Sequence, residues 1–491
     1  MFPLICDPTI DMAAHRCGHK EQIDVPWKEQ MEMADILETT PQCPYPRALT
    51  RRGLLKATAA AGLTAAVRTW TAPAAVRAQG LTGKITVGYE DPNNILTPVV
   101  EQAIEAVRSA HPDAQIEARK APAGNFATQL FLAINTGRAP DVFLLTGLGI
   151  GELGAAGFLE PLDPYLEEWD GWAEYPDEIK AALKFQNHFF AVPYVIDTHF
   201  LYYRKDLFER AGLPREWQPA TPDDILAAAR QLKASLPDVI PYAIYAGANG
   251  GNGTAVRGFL PLLYAYGGSM QDEAGKWIID SCAIRSTLRY YETAYQIDQT
   301  VPQQVMTATN PARTMRQAFG NGELGIIFEG SWAYADWEAI DPEAAGEQIG
   351  FILHPTADGR PPFTIGGLGN TWYINAASEH KDLAWEFIKA MNTREAQVAL
   401  NLADPHIPAR ADAAADPAFE ASPFLQAMIA SIPAIQISPP DPAYRKLVGI
   451  VQNATGIVAT GDATPEEAVT RYASELTRVL GAENVVALPC E

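Results

Sequence analysis

The sequence has few of the residues that mark disulfide scaffolds, zinc sites or common hydrolases. It holds five cysteines in 491 residues, and Cys6, Cys17 and His19 match no zinc spacing. Only Cys282 and Cys490 lie beyond residue 78; an oxidising compartment would permit a disulfide between them, and the sequence leaves this pairing open. The sequence contains no Gly-x-Ser-x-Gly elbow and no His-Glu-x-x-His segment, so the usual signs of a serine hydrolase or zinc protease are missing.

Basic residues and long apolar runs are also scarce. The 37 basic and 59 acidic side chains give a formal net charge of −22, which repels nucleic acid and anionic membrane surfaces. The apolar run at residues 57–67 is too short to cross a bilayer, which takes about 20 residues. No repeat or Gly/Ser linker separates domains, so we expect two lobes that the chain crosses several times.

An export signal is indicated at residues 50–78. The segment TRRGLLK (50–56) places Arg51 and Arg52 before the short apolar run, and a small-residue stretch follows as far as Ala78. This order is typical of a twin-arginine signal, so the twin-arginine export machinery is an expected partner. We expect cleavage near Ala78 and release into the periplasm, since residue 79 is Gln and no lipid-anchoring cysteine follows the cut. The alternative is a buried helix with a chance Arg pair.

The first 49 residues fit no standard signal. They combine scattered charge with no sustained apolar period, so residues 1–49 are predicted to be a disordered leader extension. Met31 and Met33 are alternative starts of the translated chain.

Strands and helices alternate after the signal. Residues 84–89 alternate apolar and polar side chains, as a strand does, and Val100, Ile104 and Val107 then repeat at helical spacing. A strand at 116–120, a helix at 126–135 and an apolar strand at 141–146 complete a β-α-β-α-β order. This order implies a parallel sheet with helices on both faces.

Further along the chain, cap residues mark helix starts. Thr221 precedes Pro222 and two acids, and Thr464 precedes Pro465 and two glutamates. A hydroxyl cap, a proline in the first turn and early acids all favour a helix N-terminus.

A series of short segments, in a fixed order, resembles one protein family. They are GRAPDVF (137–143), GFLEPLD (157–163), AVPY (191–194), LYYRKDLF (201–208), AGL (211–213), GIIFEGSW (325–332), DLAWEF (382–387) and IPAR (407–410). Each is weak alone, but together they are similar to the family 1 extracellular solute-binding proteins, the sugar-binding class of bacterial ABC importers.

The resemblance implies an α/β fold of the two-lobed, clamp-like type II periplasmic-binding-protein kind, with a mixed sheet flanked by helices in each lobe. Lobe 1 is predicted at 79–195 plus 357–395, and lobe 2 at 196–356 plus 396–491. The implied function is to capture a carbohydrate between the lobes and deliver it to ABC permease subunits, without catalysis or cofactor, as a monomer.

Sugar binding needs carboxylates and amides for hydroxyls and aromatic rings for C–H faces. By resemblance and chemistry, the predicted ligand-binding residues are Glu90, Asp91, Asn94, Thr146, Asp197, Asn249, Trp332, Gly367 and Arg410.

Most of these residues also have a structural interpretation. Asp91 can form a turn before Pro92, and Asp197 can bond a hinge amide. Trp332 can be core packing, Gly367 can serve a tight turn, and Arg410 can lie on the surface. The aromatic cluster at 169–175 is interpreted as local packing.

Three other functions were weighed against the sugar importer. The segment GIGELG (149–154) fits the spacing of a dinucleotide-binding motif, but no apolar strand with a terminal acid follows it. Its glycines are interpreted as allowing close approach to the opposite lobe.

An exported glycosidase would need two carboxylates across the scissile bond, which sequence alone leaves open. The third alternative, which also stays open, is a protein of the same clamp fold that binds a polyol or another non-sugar solute. With no tryptophan after Trp385, we expect a smaller solute than a long maltodextrin.

Overall fold

The computed structural model describes residues 80–121, 126–437, 441–488 and 490. The predicted leader at 1–49, the signal at 50–78 and the cleavage site near Ala78 lie outside the described residues.

The strands are numbered in chain order. They are β1 (Gly83–Glu90), β2 (Ala114–Ala121), β3 (Val142–Thr146), β4 (Lys184–Phe185), β5 (His188–Phe189), β6 (Ala191–Pro193), β7 (Val195–Arg204), β8 (Ile240–Ala243), β9 (Trp277–Asp280), β10 (Leu324–Gly330), β11 (Ile349–Ile352), β12 (Thr364–Leu368), β13 (Asn370–Ile374), β14 (Ile407–Pro408), β15 (Ile435–Ile437) and β16 (Val485–Ala487).

The α-helices are numbered in the same way. They are α1 (Leu96–Ala110), α2 (Phe126–Asn135), α3 (Gly149–Ala155), α4 (Asp163–Glu167), α5 (Asp177–Leu183), α6 (Lys205–Arg210), α7 (Pro222–Ser235), α8 (Asn252–Thr254), α9 (Leu260–Ala265), α10 (Cys282–Glu292), α11 (Gln304–Thr307), α12 (Pro311–Gly320), α13 (Ala333–Ile340), α14 (Pro342–Gln348), α15 (Lys381–Met391), α16 (Arg394–Ala403), α17 (Ala411–Ala414), α18 (Pro423–Ala430), α19 (Tyr444–Thr460) and α20 (Pro465–Leu480). Short 3₁₀ or π turns add Asp170–Glu174, Ala248–Gly250, Ala255–Phe259, Thr293–Ile297, Pro417–Glu420, Ile432–Ala434 and Ala482–Asn484.

The first sheet has the order β2-β1-β3-β13-β6. β1 pairs in parallel with β2 and β3, which confirms the β-α-β-α-β order expected from apolar periodicity. β13 then joins β3 and β6 antiparallel, so the sheet is mixed. Apolar side chains on β1 and α1 that point to the sheet–helix interface are buried.

The second sheet is organised by β7, a ten-residue strand that is buried almost throughout. Its order is β15-β12-β7-β10-β8, and β11 and β14 also pair with β7. The first half of β7 pairs with β12 and β14, and the second half pairs with β10 and β11. Parallel and antiparallel pairs both occur, so the predicted class, two mixed sheets flanked by helices, is confirmed.

The chain passes between the sheets at single residues. Tyr194 separates β6 from β7, and Gly369 separates β12 from β13. The backbone N–H of Gly147, after β3, donates to the carbonyl oxygen of Gly369 at 2.9 Å, and the Asn401 side chain donates to the carbonyl of Tyr194 at 3.1 Å. The predicted lobe boundaries stay a prediction; β12, inside the span assigned to lobe 1, pairs with the second sheet.

Helix starts follow the sequence signals. At α20 the Thr464 N–H donates to Glu467 at 3.0 Å, and the Glu467 N–H donates back to the Thr464 hydroxyl at 3.3 Å. Val469, Tyr472 and Leu476 of this helix are buried. Val479, one residue before the helix ends, is half-buried.

Cys282 and Cys490, whose pairing the sequence left open, form a disulfide. It joins the start of α10 to the end of the chain, close to the two-stranded pairing of β9 with β16. Within the described part of the chain, no helix has the length and apolarity of a membrane span.

Candidate functional site

A cleft of about 210 Å³ lies where strands of both sheets end. Such crevices at strand ends are the usual ligand sites of α/β folds. Its lining residues are Thr146, Gly147, Leu148, Asp197, His199, Asn252, Gly253, Val256, Arg257, Trp332, Ile365, Gly366, Gly367, Leu368 and Tyr444. Four of the predicted ligand residues, Thr146, Asp197, Trp332 and Gly367, therefore lie together.

Glycines allow the β12–β13 segment to approach Asp197 closely. Gly367 is opposite Asp197 in the β7–β12 ladder and has a φ of +128°, which side chains rarely adopt. A Cβ on Gly369 would lie 2.2 Å from the Asp197 Oδ1, and one on Gly366 would lie 2.1 Å from the Asp197 carbonyl oxygen. Any side chain at these two positions would displace the acid from the cleft.

Among the described residues that line the cleft, Asp197 is the only acidic one. Burial raises the pKa of Asp197 to about 6, against the opposing attraction of His406. The Asp197 Oδ1 lies 3.7 Å from Nε2 of His406, and the Nδ1 of that ring bonds the Asp404 carbonyl oxygen at 2.7 Å. Since a carbonyl only accepts, the Nδ1 of His406 carries the hydrogen.

Arg257 brings a buried positive charge to the cleft. It forms an ion pair with Glu329, which is fully buried, and the Tyr245 hydroxyl donates to the same carboxylate at 3.0 Å. Burial opposes ionisation of Glu329, but the Arg257 guanidinium lowers the pKa of Glu329 below its ordinary value. The pair is therefore ionised, and the Arg257 Nε–H is left without a hydrogen-bond partner.

Aromatic rings complete the cleft. Trp332, at the start of α13, stacks on His406 with centroids 5.2 Å apart and meets the edge of His199 at the same centroid distance. Tyr444, at the start of α19, donates its hydroxyl to the Asn252 Oδ1 at 2.8 Å. The cleft thus combines one carboxylate, one guanidinium, an imidazole and two partly exposed aromatic rings.

The predicted residues after β1 do not line this cleft. Asp91 caps α1: its carboxylate accepts the N–H groups of Ile95 at 2.9 Å and Thr97 at 2.8 Å, and the Thr97 hydroxyl at 2.6 Å. Burial opposes ionisation, but these hydrogen bonds lower the pKa of Asp91. Asn94 has a φ of 58° and accepts from Lys120, and Glu90 is half-buried in β1.

Asn249 and Arg410 also lie elsewhere. Asn249 is exposed, and its amide donates to the Thr307 carbonyl oxygen at 3.5 Å. Arg410 makes a bidentate pair with Asp412 at 2.9 and 2.6 Å. The side chains of both residues are thus held by local partners, and their predicted role in ligand contact stays a prediction.

Sequence reasoning missed His199, Arg257, Tyr444 and the supporting His406. A signal existed for Arg257, because it is a lone charge in the apolar run AVRGFLPLL (255–263), and Glu329 is a lone acid in the buried strand GIIFEG. A buried charge needs a buried partner, so two isolated opposite charges in apolar segments predict a pair. His199 carries a weaker signal as a polar residue within the apolar alternation of β7.

A larger cavity of about 630 Å³ lies beside the cleft and shares Tyr444 with it. Its walls include Tyr264, Trp277 and Phe363, and its charged groups are held by the protein itself. Arg360 pairs with Asp358 at 2.7 Å and donates to a carbonyl, and Asp272 accepts two backbone N–H groups. The smaller cleft, which retains unpartnered polar atoms, is therefore the better candidate site.

The glycine segment 149–154 begins α3 beside the cleft. A Cβ on Gly151 would lie 2.6 Å from the backbone carbonyl carbon of Asp441, so this glycine lets α3 pack on the segment before α19, in the span predicted for lobe 2. Arg445 of α19 adds a contact to Glu152 at 3.3 Å and lies 4.0 Å over the Phe131 ring. This surface, the α3–α19 contact, joins elements of the two sheets.

The aromatic cluster at 169–175 packs locally. Trp169 and Trp172 contact Tyr175, Trp385 and Phe189 with ring centroids 4.9–5.8 Å apart. Among the residues with described side chains, no group of three or more His, Cys, Asp or Glu is placed to hold a metal ion.

Two sheets with a polar, aromatic-lined cleft at their strand ends define a clamp-type solute-binding protein. The chain belongs to the bacterial extracellular solute-binding protein family, whose model matches residues 93–398.

Individual relatives agree with this assignment. A maltotriose-binding protein of Pyrococcus abyssi is 24% identical over 382 residues, which cover 76% of each chain. An uncharacterised ABC transporter extracellular-binding protein of Pyrococcus horikoshii is 26% identical over 320 residues, covering 62% of this chain and 67% of the relative. The GacH receptor of Streptomyces glaucescens is similar in structure, with a TM-score of 0.71 and 21% identity over 82% of this chain and 99% of that one.

Proposed function

We propose that this protein captures a sugar in the cleft and delivers it to the permease subunits of an ABC importer. The observation that carries the proposal is the cleft itself: Asp197, Arg257 and His199 converge with the ring of Trp332 on one small volume. Hydroxyl groups pair with such polar atoms, and C–H faces of a sugar ring pack on aromatic side chains.

Names of similar proteins support a sugar as the solute. The relative from P. abyssi is named for maltotriose, and the GacH receptor was solved in complex with acarbose. The cleft volume of about 210 Å³ is below the roughly 300–1,000 Å³ of pockets for drug-sized ligands. We therefore propose a mono- or short oligosaccharide rather than a long maltodextrin.

Catalysis is not part of the proposal. A glycosidase needs two carboxyl groups about 5–9.5 Å apart across the scissile bond, whereas Asp197 is the one acid in the described lining. Glu329, the nearby second acid, is fully buried and paired with Arg257. A polyol remains a second candidate solute, since it presents the same hydroxyl chemistry.

We further propose that the protein is exported as a monomer by the twin-arginine route, cleaved near Ala78 and active in the periplasm. The support is Arg51 and Arg52 ahead of a short apolar run. Replacing both with lysine should leave the protein uncleaved in the cytoplasm, whereas the same change at Arg47 and Arg68 should not. Periplasmic protein from the double variant would contradict this route.

The solute is tested by calorimetry and thermal unfolding of the purified protein with maltose, maltotriose, lactose, acarbose and sorbitol. Binding to the folded state raises the melting temperature, so one or more sugars should do so and sorbitol should not. A shift with sorbitol alone would make the protein a polyol binder. Release of monosaccharide from any of these sugars would make it an enzyme.

A further inference from the structure

The His199 ring is fixed in one orientation and one tautomer. It is buried in β7, and its Nδ1 lies 2.8 Å from the carbonyl oxygen of Ile365 in β12. A carbonyl oxygen only accepts hydrogen bonds, so the hydrogen of the neutral ring must be on Nδ1. The face of the ring packs on Phe328, with centroids 5.7 Å apart, which holds the ring in place.

The other nitrogen of this ring is an unused acceptor. Burial, together with the charge of Arg257, lowers the pKa of His199 to about 4, so the ring is neutral near pH 7 and Nε2 carries a lone pair. This buried Nε2 has no hydrogen-bond partner in the protein. A buried polar atom without a partner destabilises a protein, which is a reason to look for a partner in a ligand.

Arg257 presents a matching unused donor in the same cleft. Its Nη1 is paired with Glu329, but its Nε–H is buried and without a partner. His199 and Arg257 both line this cleft. An acceptor and a donor that both lack hydrogen-bond partners suit a hydroxyl group, which donates one hydrogen bond and accepts others.

We propose that the Nε2 of His199 accepts a hydrogen bond from one hydroxyl group of the bound solute, while the Arg257 Nε–H donates to an oxygen of that solute. The inference rests on the proposed function and makes His199 a residue that determines specificity. The site should therefore bind a sugar that carries this hydroxyl more tightly than an analogue that lacks it.

The test uses His199→Asn with a matched control. An asparagine amide can keep the N–H that bonds the Ile365 carbonyl but removes Nε2. His354 is the control, because it is also buried, bonds a backbone carbonyl through Nδ1 at 2.9 Å and packs against Phe328, yet it does not line the cleft. Affinity is measured by calorimetry for the sugar that binds most tightly among maltose, maltotriose and lactose, and for its monodeoxy and monodeoxyfluoro analogues.

We expect His199→Asn to weaken binding of the parent sugar about 10-fold and His354→Asn to leave it unchanged. In the wild-type protein, one deoxy analogue should bind more weakly than the parent sugar by a similar factor. The same analogue should bind to His199→Asn as tightly as it binds to the wild-type protein. The fluoro analogue at that position should be as weak as the deoxy one, because fluorine has no hydrogen to donate to Nε2.

Three binding results would overturn the inference. They are unchanged affinity of His199→Asn, an equal loss in both histidine variants, or full affinity for every fluoro analogue. Nitrogen-15 shifts of the ligand-free protein give a readout that needs no sugar: Nδ1 should be protonated and Nε2 bare, and the opposite tautomer would also overturn the inference. If the wild-type protein binds none of the three sugars, the proposed function fails instead, and the nitrogen shifts still report on the tautomer.

Discussion

The two walls of the cleft differ in what they supply. Elements that follow the first sheet contribute Thr146, Gly147 and Leu148, a short and mostly apolar surface. The wall built on the second sheet contributes a carboxylate at Asp197, the Arg257 guanidinium and the His199 imidazole, besides aromatic rings. The charged groups of the cleft therefore lie in one wall, and the other wall is mostly apolar.

Burial explains why the polar wall is the second sheet. The Arg257 charge of this wall has a buried partner: Glu329 is fully buried and also accepts a hydrogen bond from the Tyr245 hydroxyl at 3.0 Å. Partners of this kind need a wide sheet with helices packed on both sides. In the first wall the polar residues after β1 are used to start α1, as the capping bonds of Asp91 show.

The largest effect, a loss of stability, is expected from removing the Arg257 charge of the second wall. Arg257→Met leaves Glu329 buried without a counter-charge, and breaking such a pair destabilises a protein by about 3–5 kcal/mol. Urea unfolding should show this loss. Arg289→Met is the control, because its pair with Glu466 is exposed and contributes about 0–1 kcal/mol. Equal losses in the two variants would show that the Arg257–Glu329 pair is not the support of the second wall.

The aromatic part of the second wall is tested by Trp332→Ala. Loss of a tryptophan at the centre of a binding site reduces the binding free energy by about 2 kcal/mol or more, so affinity for the best sugar should fall about 30-fold in calorimetry. Val448→Trp partly fills the larger neighbouring cavity, whose wall it lines, and should leave affinity unchanged. The reverse pattern would move the site to the larger cavity.

The shape of the first wall is tested by added bulk. Gly151→Val places a side chain against the Asp441 backbone, where a Cβ would lie within 2.6–2.9 Å, and should hold the α3–α19 contact apart. We expect about 10-fold weaker sugar binding in calorimetry with nearly unchanged thermal stability. Gly449→Val, in α19 with no atom within 4 Å of its Cβ position, is the control. Equal affinity of the two variants would mean that the α3–α19 contact does not contribute to binding.

The same difference between the walls explains how far the sequence could predict the molecule. Apolar periodicity is a local signal, so the strands and helices around β1–β3 were found; the helix at 126–135 matches α2 (Phe126–Asn135) at both ends. Cap residues are local too, and Thr464 was identified correctly. The family resemblance brought Asp197 and Trp332 together because both follow segments that it recognises.

The geometry of long-range pairs, unlike the local elements, was out of reach of the sequence. Arg257 and Glu329 are 72 residues apart, and His199 meets Ile365 across 166 residues, so only the folded sheet brings these groups into one site. At Asp91 and Arg410, polar residues that suit a sugar also suit a helix cap or a nearby ion pair, and their predicted contact with a ligand stays a prediction. Short-range partners compete with a ligand for such side chains, and the sequence alone does not rank the two.

A pH profile tests whether Asp197 gives the second wall its charge. With the pKa of Asp197 raised to about 6, the carboxyl is mostly protonated at pH 5 and mostly ionised at pH 7. If the ionised form accepts sugar hydroxyls, affinity should rise about 10-fold between these pH values, and Asp197→Asn should remove the rise. His406, Asp404 and Arg257 face this carboxyl, and a profile that persists in Asp197→Asn would show that Asp197 is not the group whose titration changes the affinity.

The stability of the ligand-free protein should change with pH in the direction opposite to that of the sugar affinity. Because the folded-state pKa of Asp197 lies above the unfolded value of about 3.9, the folded protein holds this proton more tightly. The resulting contribution to stability is complete below about pH 4 and is lost as the pH rises through about 6. Urea unfolding of wild type and Asp197→Asn at pH 4 and 7 measures the difference, and a wild-type contribution that grows with pH would contradict the raised pKa.

The smallest effect concerns Asp91, a structural acid that lies outside the described lining of the cleft, in contrast to Asp197 of the second wall. Asp91→Ala removes the cap of α1 and should destabilise the protein by about 1 kcal/mol, while sugar affinity stays unchanged because the carboxylate is already occupied by Ile95 and Thr97. Asp91→Asn keeps a side-chain oxygen for one N–H and should recover part of the loss. Thermal unfolding and calorimetry on the same samples measure the two properties. A tenfold loss of affinity at unchanged stability would place Asp91 in the binding site and make the two walls alike.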